Sequence, residues 1–368
     1  MTISPLIIGI TGNIATGKSV VGHMLANSGG LEIDADVVAN RMLYPNGPAY
    51  HLVIKTFGDS ILTLNGSISR KKLGEIVFSD PKQLEKLEKI VHPEVTKSIK
   101  ERIKHASRPF IIIEAIKLLE SDLVEICDTV WVSHASVSHQ MKRLVQSRNL
   151  TEEGAKTRIQ AQPSQSEKLN RADVVINTEG IFKQTWQQIQ DALKGTIHMK
   201  GSQIPTQAHR SGDWFFPDVN VIPQGDIEDF WQTLAEEEQA DWYAKLGSRI
   251  ILAAMKEDHL KGLLLWDNWN FTAAFDRWVT TNKQRLLSKI ILDAFHNQVE
   301  QQECEAVLIS NQKALINSFF SVKIGFENLE INEIPYPAWQ EAAERVLKEV
   351  DDKIWIKILS EPIETIDR

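Results

Sequence analysis

Seventeen residues near the start, "GITGNIATGKSVVGHML" (9–25), carry the clearest chemistry in the chain. Within them Gly12-Asn13-Ile14-Ala15-Thr16-Gly17-Lys18-Ser19 satisfies G-x-x-x-x-G-K-[ST]. Each fixed position has a physical task. Gly12 and Gly17 permit backbone angles and a close approach that a side chain would block. Successive N–H groups can then wrap phosphate oxygens at the mouth of a helix, whose dipole favours negative charge. Lys18 can reach the β- and γ-phosphates, and the Ser19 hydroxyl can ligate Mg²⁺. The motif needs a strand before it and a helix after it. Leu6-Ile7-Ile8 is an apolar strand signal, and Val20, Val21, Met24 and Leu25 are apolar at helical spacing. The plain alternative, a glycine turn that binds nothing, does not account for the lysine and serine. The expected ligand is a nucleoside triphosphate, cradled by residues 12 to 20 from Gly12 to Val20.

Acidic residues follow apolar runs at two further places. "LEIDADVV" puts Asp34 and Asp36 at the carboxyl end of a strand over Leu31 to Ile33, the edge where parallel α/β sheets bind ligands. One of them can take a proton from an acceptor hydroxyl or cap the helix that starts near Val37. Asp36 is assigned the first role, and Asp34 is open to the second. "RPFIIIE" ends a buried strand in Glu114, where P-loop enzymes place a group that organises Mg²⁺. "TVWVS" is the next strand, and "ADVVIN" the last, ending at Asn177 near a purine site.

The elements between these strands are helical and polar. Residues 40 to 105 are helix-rich, with turn signals at Asn46-Gly47 and Asn65-Gly66. His92-Pro93 is expected to close the helix "PKQLEKLEKIV". His92 reads first as structural, and Arg70 as either a surface charge or a phosphate contact. Arg143, Arg148 and Arg158 gather in a helical pair, "SHQMKRLVQSRNLTEEGAKTRIQAQ", with Arg158 and Gln162 at i, i+4 spacing. That pair is either a solvated hairpin or a lid whose arginines close on the transferring phosphate.

In order and spacing, "GITGNIATGKS", "IDADVVAN", "FGDSIL", "NGSISRKKL", "VFSDP", "VHPEV", "RLVQSRNLTEEGAKTRIQAQ" and "ADVVIN" resemble the dephospho-coenzyme A kinase family over residues 3–195. The resemblance implies a P-loop NTPase fold, a three-layer parallel sheet with a helical substrate region (residues 40–105) and a lid (136–165). It implies ATP-dependent phosphorylation of the ribose 3′-hydroxyl of dephospho-CoA, the last step of coenzyme A synthesis, with Mg²⁺ on Ser19. It makes Asp36 the hydroxyl-activating residue, Lys18, Arg143 and Arg148 its catalytic partners, and Asn177 an adenine neighbour. Thr11, Asp34, Arg70, His92, Glu114, Arg158 and Gln162 are assigned to the substrate side. Departures are in the loop, where the family usually has a second glycine after Gly12 and another small residue further on and this chain has Asn13 and Ala15, with Thr16 before Gly17, and in "EAIKLLE", where it favours Asp-x-Pro-Leu-Leu-aromatic-Glu. Ile116 and Lys117 therefore alter the acceptor wall.

At 368 residues the chain exceeds one ordinary core. Eight of the ten tryptophans fall between Trp214 and Trp355, which marks a change of composition near residue 200. Domains are expected at 1–195 and 213–368, joined by a polar linker at 196–212. The second part reads as a strand "DVNVIP", one helix through "IEDFWQTLAEEEQADWYAKL", a hairpin "RIILAAMKEDHLKGLLLWDNW", a helix "KQRLLSKIILDAFHNQVEQQ", and strands "EAVLIS", "IGFENLEINEI" and "KIWIKIL". Its order resembles the acyl-CoA N-acyltransferase (GNAT) fold, a second α/β domain. The family's pyrophosphate turn, Q/R-x-x-G-x-G/A, corresponds to Gln284-Arg285-Leu286-Leu287-Ser288-Lys289, which lacks glycine. A degenerate domain that senses CoA, binds a protein or stabilises a dimer is the expectation.

A net charge of -8 argues against a nucleic-acid partner. Two cysteines without metal-ligand spacing fit a reducing cytoplasm, and neither a signal peptide nor a membrane-spanning run is evident. The oligomeric state is open, a homo-oligomer included. The rival readings are a P-loop kinase for another small acceptor such as a nucleoside monophosphate, and a non-catalytic nucleotide or CoA sensor.

Overall fold

The computed structural model describes residues 5–148, 150–199, 208–234, 241–257, 259–269, 271–280, 289–310, 325–347 and 353–360. In chain order the strands are β1 (Leu6–Thr11), β2 (Leu31–Asp34), β3 (Phe110–Glu114), β4 (Thr129–His134), β5 (Val174–Asn177), β6 (Ala208–Ser211), β7 (Trp214–Pro217), β8 (Ile250–Lys256), β9 (His259–Trp269), β10 (Thr272–Thr280), β11 (Ala306–Ser310), β12 (Glu327–Glu330) and β13 (Lys353–Ile358). The α-helices are α1 (Lys18–Asn27), α2 (Ala35–Met42), α3 (Tyr50–Phe57), α4 (Arg70–Ser79), α5 (Pro81–His105), α6 (Val137–Arg148), α7 (Glu152–Gln160), α8 (Gln165–Asn170), α9 (Phe182–Met199), α10 (Gln224–Gln232), α11 (Trp242–Leu246), α12 (Lys289–Gln301) and α13 (Pro337–Leu347).

The first sheet has the order β2-β3-β1-β4-β5. Strand β1 pairs in parallel with both β3 and β4, and β4 in parallel with β5. Its strands read as continuous apolar runs because both faces are covered: Ile8, Ile10, Ile111, Ile112, Ile113, Trp131 and Val132 are fully buried. Successive strands leave β1 to opposite sides, so the carboxyl end of β1 is the switch point at which ligands bind in such sheets. The P-loop stands there.

Two compact units partition the chain. Unit 1 comprises residues 1–33, 107–267 and 276–301, and unit 2 residues 34–106, 268–275 and 302–368. This differs from a division at residues 196–212, because each unit draws on both halves of the sequence. In unit 1 a single apolar cluster runs from Ile8, Met24 and Leu25 through Trp186 and Ile197 to Trp231, Trp242, Leu246 and Ile251. Strands β6 to β9 pair antiparallel beside it, with a register shift at Ala254/Met255 in the expected β8–β9 hairpin.

Unit 2 holds helices α2 to α5, packed around Val38, Met42, Val53, Leu73, Val77, Val91, Val95 and Ile99. It also holds β11 between β13, antiparallel, and the start of β10, parallel. A second cluster there joins Leu308, Ile354 and Ile356 to Trp339, Ala342 and Ala343 of α13. Glu305 is buried among cations, accepting both oxygens' worth of hydrogen bonds from Arg41 Nη2 (2.9 and 2.7 Å), one from Arg102 Nη2 (3.2 Å) and one from Trp339 Nε1 (3.1 Å). Arg102 also lies 3.5 Å over the Phe271 ring.

Several sequence expectations need correction. Helix α5 does not end at His92-Pro93 but carries Pro93 in its interior. Pro93 is on the exposed face, while Val91, Val95 and Ile99 bury a continuous stripe through it; that packing and the Arg102 ion pair offset the interior-proline cost of roughly 3 kcal/mol. The linker begins later than expected, since α9 continues to Met199 with Leu193 and Ile197 buried. "DVNVIP" forms a 3₁₀ turn over Val219–Val221, the strand lying earlier at Trp214–Pro217. The long helix through residues 227–246 is two helices, α10 and α11. Strand β10 was not expected at all. The residues of the glycine-free turn from Gln284 to Ser288 lie outside the described residues.

Candidate active site

The cradle begins with a close packing requirement. A Cβ on Gly12 would stand 2.4 Å from Ser133 Oγ and 2.7 Å from Ser133 O, so only glycine fits where the loop leaves β1. Thr16 Oγ1 then bonds Ser133 Oγ (2.7 Å) and donates to Asn13 O (2.8 Å). Ala15 and Gly17 have φ of 58° and 88°, the alternation that turns consecutive amides toward one point. Gly17 is the N-cap of α1, and its helix has no side-chain cap. The first-turn N–H groups of α1 are thereby left for an anion. Lys18 is buried with no protein partner among the described residues.

The segment after α7 reaches this loop. Gln162 Oε1 accepts from the Ile14 N–H at 2.7 Å, and Asn13 Nδ2 donates to Pro163 O at 2.8 Å. Helix α7 ends at Gln160, so Gln162 does not share a helix face with Arg158 as the spacing suggested. Its place beyond the helix end lets the amide turn toward the loop. Arg143 on α6 donates from Nη1 to Ala15 O and Thr178 Oγ1, each at 3.0 Å, and from Nη2 to Thr178 O. Its guanidinium thus holds the loop's backbone, and burial lowers its pKa against the opposing pull of Glu179. Arg148 and Arg158 are exposed and have no protein partner among the described residues.

On the other side of Lys18, exposed Ser19 donates to buried Glu114 Oε1 at 3.1 Å. These hard oxygen groups, a hydroxyl and a carboxylate at the mouth of a phosphate cradle, are a donor set that suits Mg²⁺. One turn further, His23 Nδ1 bonds Ser19 O at 2.6 Å, and its ring lies 3.7 Å from Glu32 and 3.8 Å from Asp267. Burial pushes the imidazolium down, but the two carboxylates outweigh it and raise the pKa to about 10. Thr11 Oγ1 donates to Ile116 O (3.0 Å), and Lys168 Nζ to the same carbonyl (2.6 Å), so the altered "EAIKLLE" segment is tied down at Ile116. Asn177 sits at the end of β5, its backbone clasped by Gln188 at 3.0 and 2.9 Å.

The remaining candidates belong to unit 2. Asp34 is the N-cap of α2, accepting from Asp36 N (2.8 Å) and Val37 N (3.1 Å). That cap orients the first turn and leaves Asp36 exposed on it. Arg70 donates to Glu341 Oε1 (2.8 Å) and Tyr44 Oη (3.2 Å), and Tyr44 Oη donates to Glu341 Oε2 (2.7 Å). His92 is half-buried inside α5.

Reasoning from sequence missed Ser133 and Thr178. Thr178 Oγ1 donates to Thr16 O at 2.7 Å and so locks the loop to the end of β5. The available signal was position: both follow or end a parallel strand on the ligand edge.

The first half of the sequence matches known proteins. The dephospho-CoA kinase family model matches residues 6–184. The dephospho-CoA kinase of Carboxydothermus hydrogenoformans is 41% identical over 191 residues, 51% of this chain and 93% of that protein. That of Bacillus licheniformis is 40% identical over 191 residues, covering 51% and 95%. The solved structure of TT1252 from Thermus thermophilus aligns with a TM-score of 0.48 at 28% identity, over 52% of this chain and 98% of that one. The matched span contains the whole P-loop, the Ser19–Glu114 pair and helices α6 and α7, and relatives are covered almost end to end: the chain belongs to the dephospho-CoA kinase family.

Proposed function

We propose that this protein transfers the γ-phosphoryl group of ATP to the ribose 3′-hydroxyl of dephospho-CoA, forming coenzyme A and ADP. The observation that carries the reading is the uncapped, left-handed-turned P-loop with Lys18 unpaired among the described residues and Ser19 joined to Glu114. In the transfer the acceptor oxygen bonds to Pγ, the bond from Pγ to the bridging oxygen breaks, and ADP keeps that electron pair. The hydroxyl proton passes to the Asp36 carboxylate, which α2 presents in its first turn. Lys18 and the amides of α1 take up charge on the β- and γ-oxygens. Arg148 and Arg158, exposed on the lid, close on the phosphates and exclude water, while Gln162 gives up the Ile14 N–H as nucleotide enters. Mg²⁺ would be held by Ser19 with Glu114 organising its shell, and would neutralise charge between the β- and γ-phosphates. Arg70 and His92 serve the acceptor side, and Asn177 the adenine.

Residues 1–195 constitute the kinase portion, and 213–368 a GNAT-like portion without acyl transfer, given the glycine-free stretch Gln284–Lys289. The two cysteines without metal-ligand spacing support placement in a reducing cytoplasm. The test is ADP release with ATP and Mg²⁺, offering dephospho-CoA, AMP and CMP separately. Turnover is expected with dephospho-CoA alone, and Asp36→Asn should lower kcat by about two powers of ten or more, as loss of a general base does. Turnover with AMP or CMP instead would assign a different acceptor, and none with any acceptor despite ATP binding would favour a sensor.

A further inference from the structure

Unit 1 contains a cavity of about 320 Å³ that the kinase chemistry does not use. Arg108, one of its lining residues, stands two positions before β3, at the end of that strand opposite the P-loop. Its size is within the range of small-molecule pockets.

The chemistry of its walls is specific. Arg108 is buried and donates from Nη1 to Asp218 Oδ1 at 3.2 Å, yet its buried Nε has no acceptor. Burial lowers the Arg108 pKa and raises that of Asp218, each opposed by its partner. An ion pair taken out of water at such cost normally has its remaining donors satisfied. The facing wall is α12. Its apolar stripe, Ile291, Leu292, Phe295 and Val299, is buried, and three carboxamides, Asn297, Gln298 and Gln301, line the cavity. Gln298 is fixed by Trp266 Nε1 (2.9 Å) and Ile251 O (3.0 Å), and Gln301 Nε2 donates to Asn297 Oδ1 (2.8 Å). That leaves Asn297 Nδ2 as a donor and Gln301 Oε1 as an acceptor without protein partners among the described residues. Phe216, against which the His209 ring rests with centroids 6.0 Å apart, supplies a flat apolar side.

We infer that this cavity is a second ligand site, for a small neutral molecule that carries an N–H donor and an acceptor side by side on a planar edge. The acceptor atom of such a ligand meets Asn297 Nδ2, and its N–H meets Gln301 Oε1. Asp218 already answers the Arg108 charge, so a free phosphate or carboxylate gains little here. A nucleobase presents this edge; a trans amide of the pantetheine kind, whose N–H and C=O point to opposite sides, does not.

Calorimetric titration of the full chain with pantetheine, adenosine and inorganic phosphate tests the assignment. No turnover is needed, so the outcome is independent of whether the chain phosphorylates dephospho-CoA. Asn297→Leu removes the donor, and Ala294→Phe fills the space while leaving every polar group in place. The expected result is binding of adenosine that each variant weakens at least tenfold, with thermal unfolding kept near wild type, and no binding of pantetheine. Failure of adenosine to bind at millimolar concentration, binding that both variants leave unchanged, or pantetheine or phosphate binding that the variants abolish would overturn it.

Discussion

Ala15 holds the P-loop in a conformation that costs it free energy. At φ 58° its Cβ crowds the following carbonyl, a strain of roughly 1–2 kcal/mol for an L-residue. Glycine would relieve it but lose more chain entropy on folding. Ala15→Gly should therefore raise stability by about 0.5–1 kcal/mol, read as a shifted denaturation midpoint at constant slope; a loss of stability would mean that the methyl group packs usefully. The same residue scale explains why Gly12 is not replaceable: Ser133 fills the space that a methyl group would need.

Among the elements, α5 and β11 meet in unit 2 through buried charge. Glu303 lies beside Arg102, 3.8 Å away, and burial still lifts its carboxyl to about 7 despite that cation. A carboxyl whose folded pKa is raised contributes stability in full below its unfolded value near 4.5. That contribution is lost as pH rises through about 7. Glu303→Gln should then stabilise the protein at pH 8 and have little effect at pH 4.5, measured by thermal unfolding at both. An equal shift at both pH values would locate the effect in packing rather than ionisation. Glu305, nearby, accepts hydrogen bonds from Arg41, Arg102 and Trp339. Removing its charge with Glu305→Gln would leave Arg41 and Arg102 buried and underpaired, at a cost of roughly 3–5 kcal/mol.

Across the whole molecule, the P-loop helix is a component of both halves of the sequence. Asn27 Nδ2 donates to Leu246 O (3.0 Å) and Arg249 O (2.8 Å), and its Oδ1 accepts from Ile251 N (2.9 Å). Beside it, Met24 and Leu25 share a buried cluster with Trp242 and Leu246. A chain ending at Met199 would expose that apolar face. It should bind a hydrophobic dye and elute as aggregate in size exclusion, whereas a monodisperse, dye-negative fragment would show that the helix needs no such cover.

These long-range contacts mark what the sequence could and could not reveal. The P-loop, the strand ending in Glu114, the lid helices and the β8–β9 hairpin were legible because each is written in local spacing. The capping by Asp34 was legible too, since a cap bonds residues two and three positions away. The true end of α7, which frees Gln162, and the passage of α5 through Pro93 were not, because tertiary burial decided both. Nor were the compact units, whose boundaries depend on partners such as Asn27 and Ile251, 224 positions apart.

That last contact has a genetic corollary. Lesions at Leu246, Arg249 or Asp267 loosen the helix that begins with Lys18 and Ser19. In a selection for mutants starved of coenzyme A, such alleles should be recovered alongside P-loop alleles. Premature stop codons before Ile251 should behave as complete loss of function, and the two classes should fail to complement each other when supplied as separate halves.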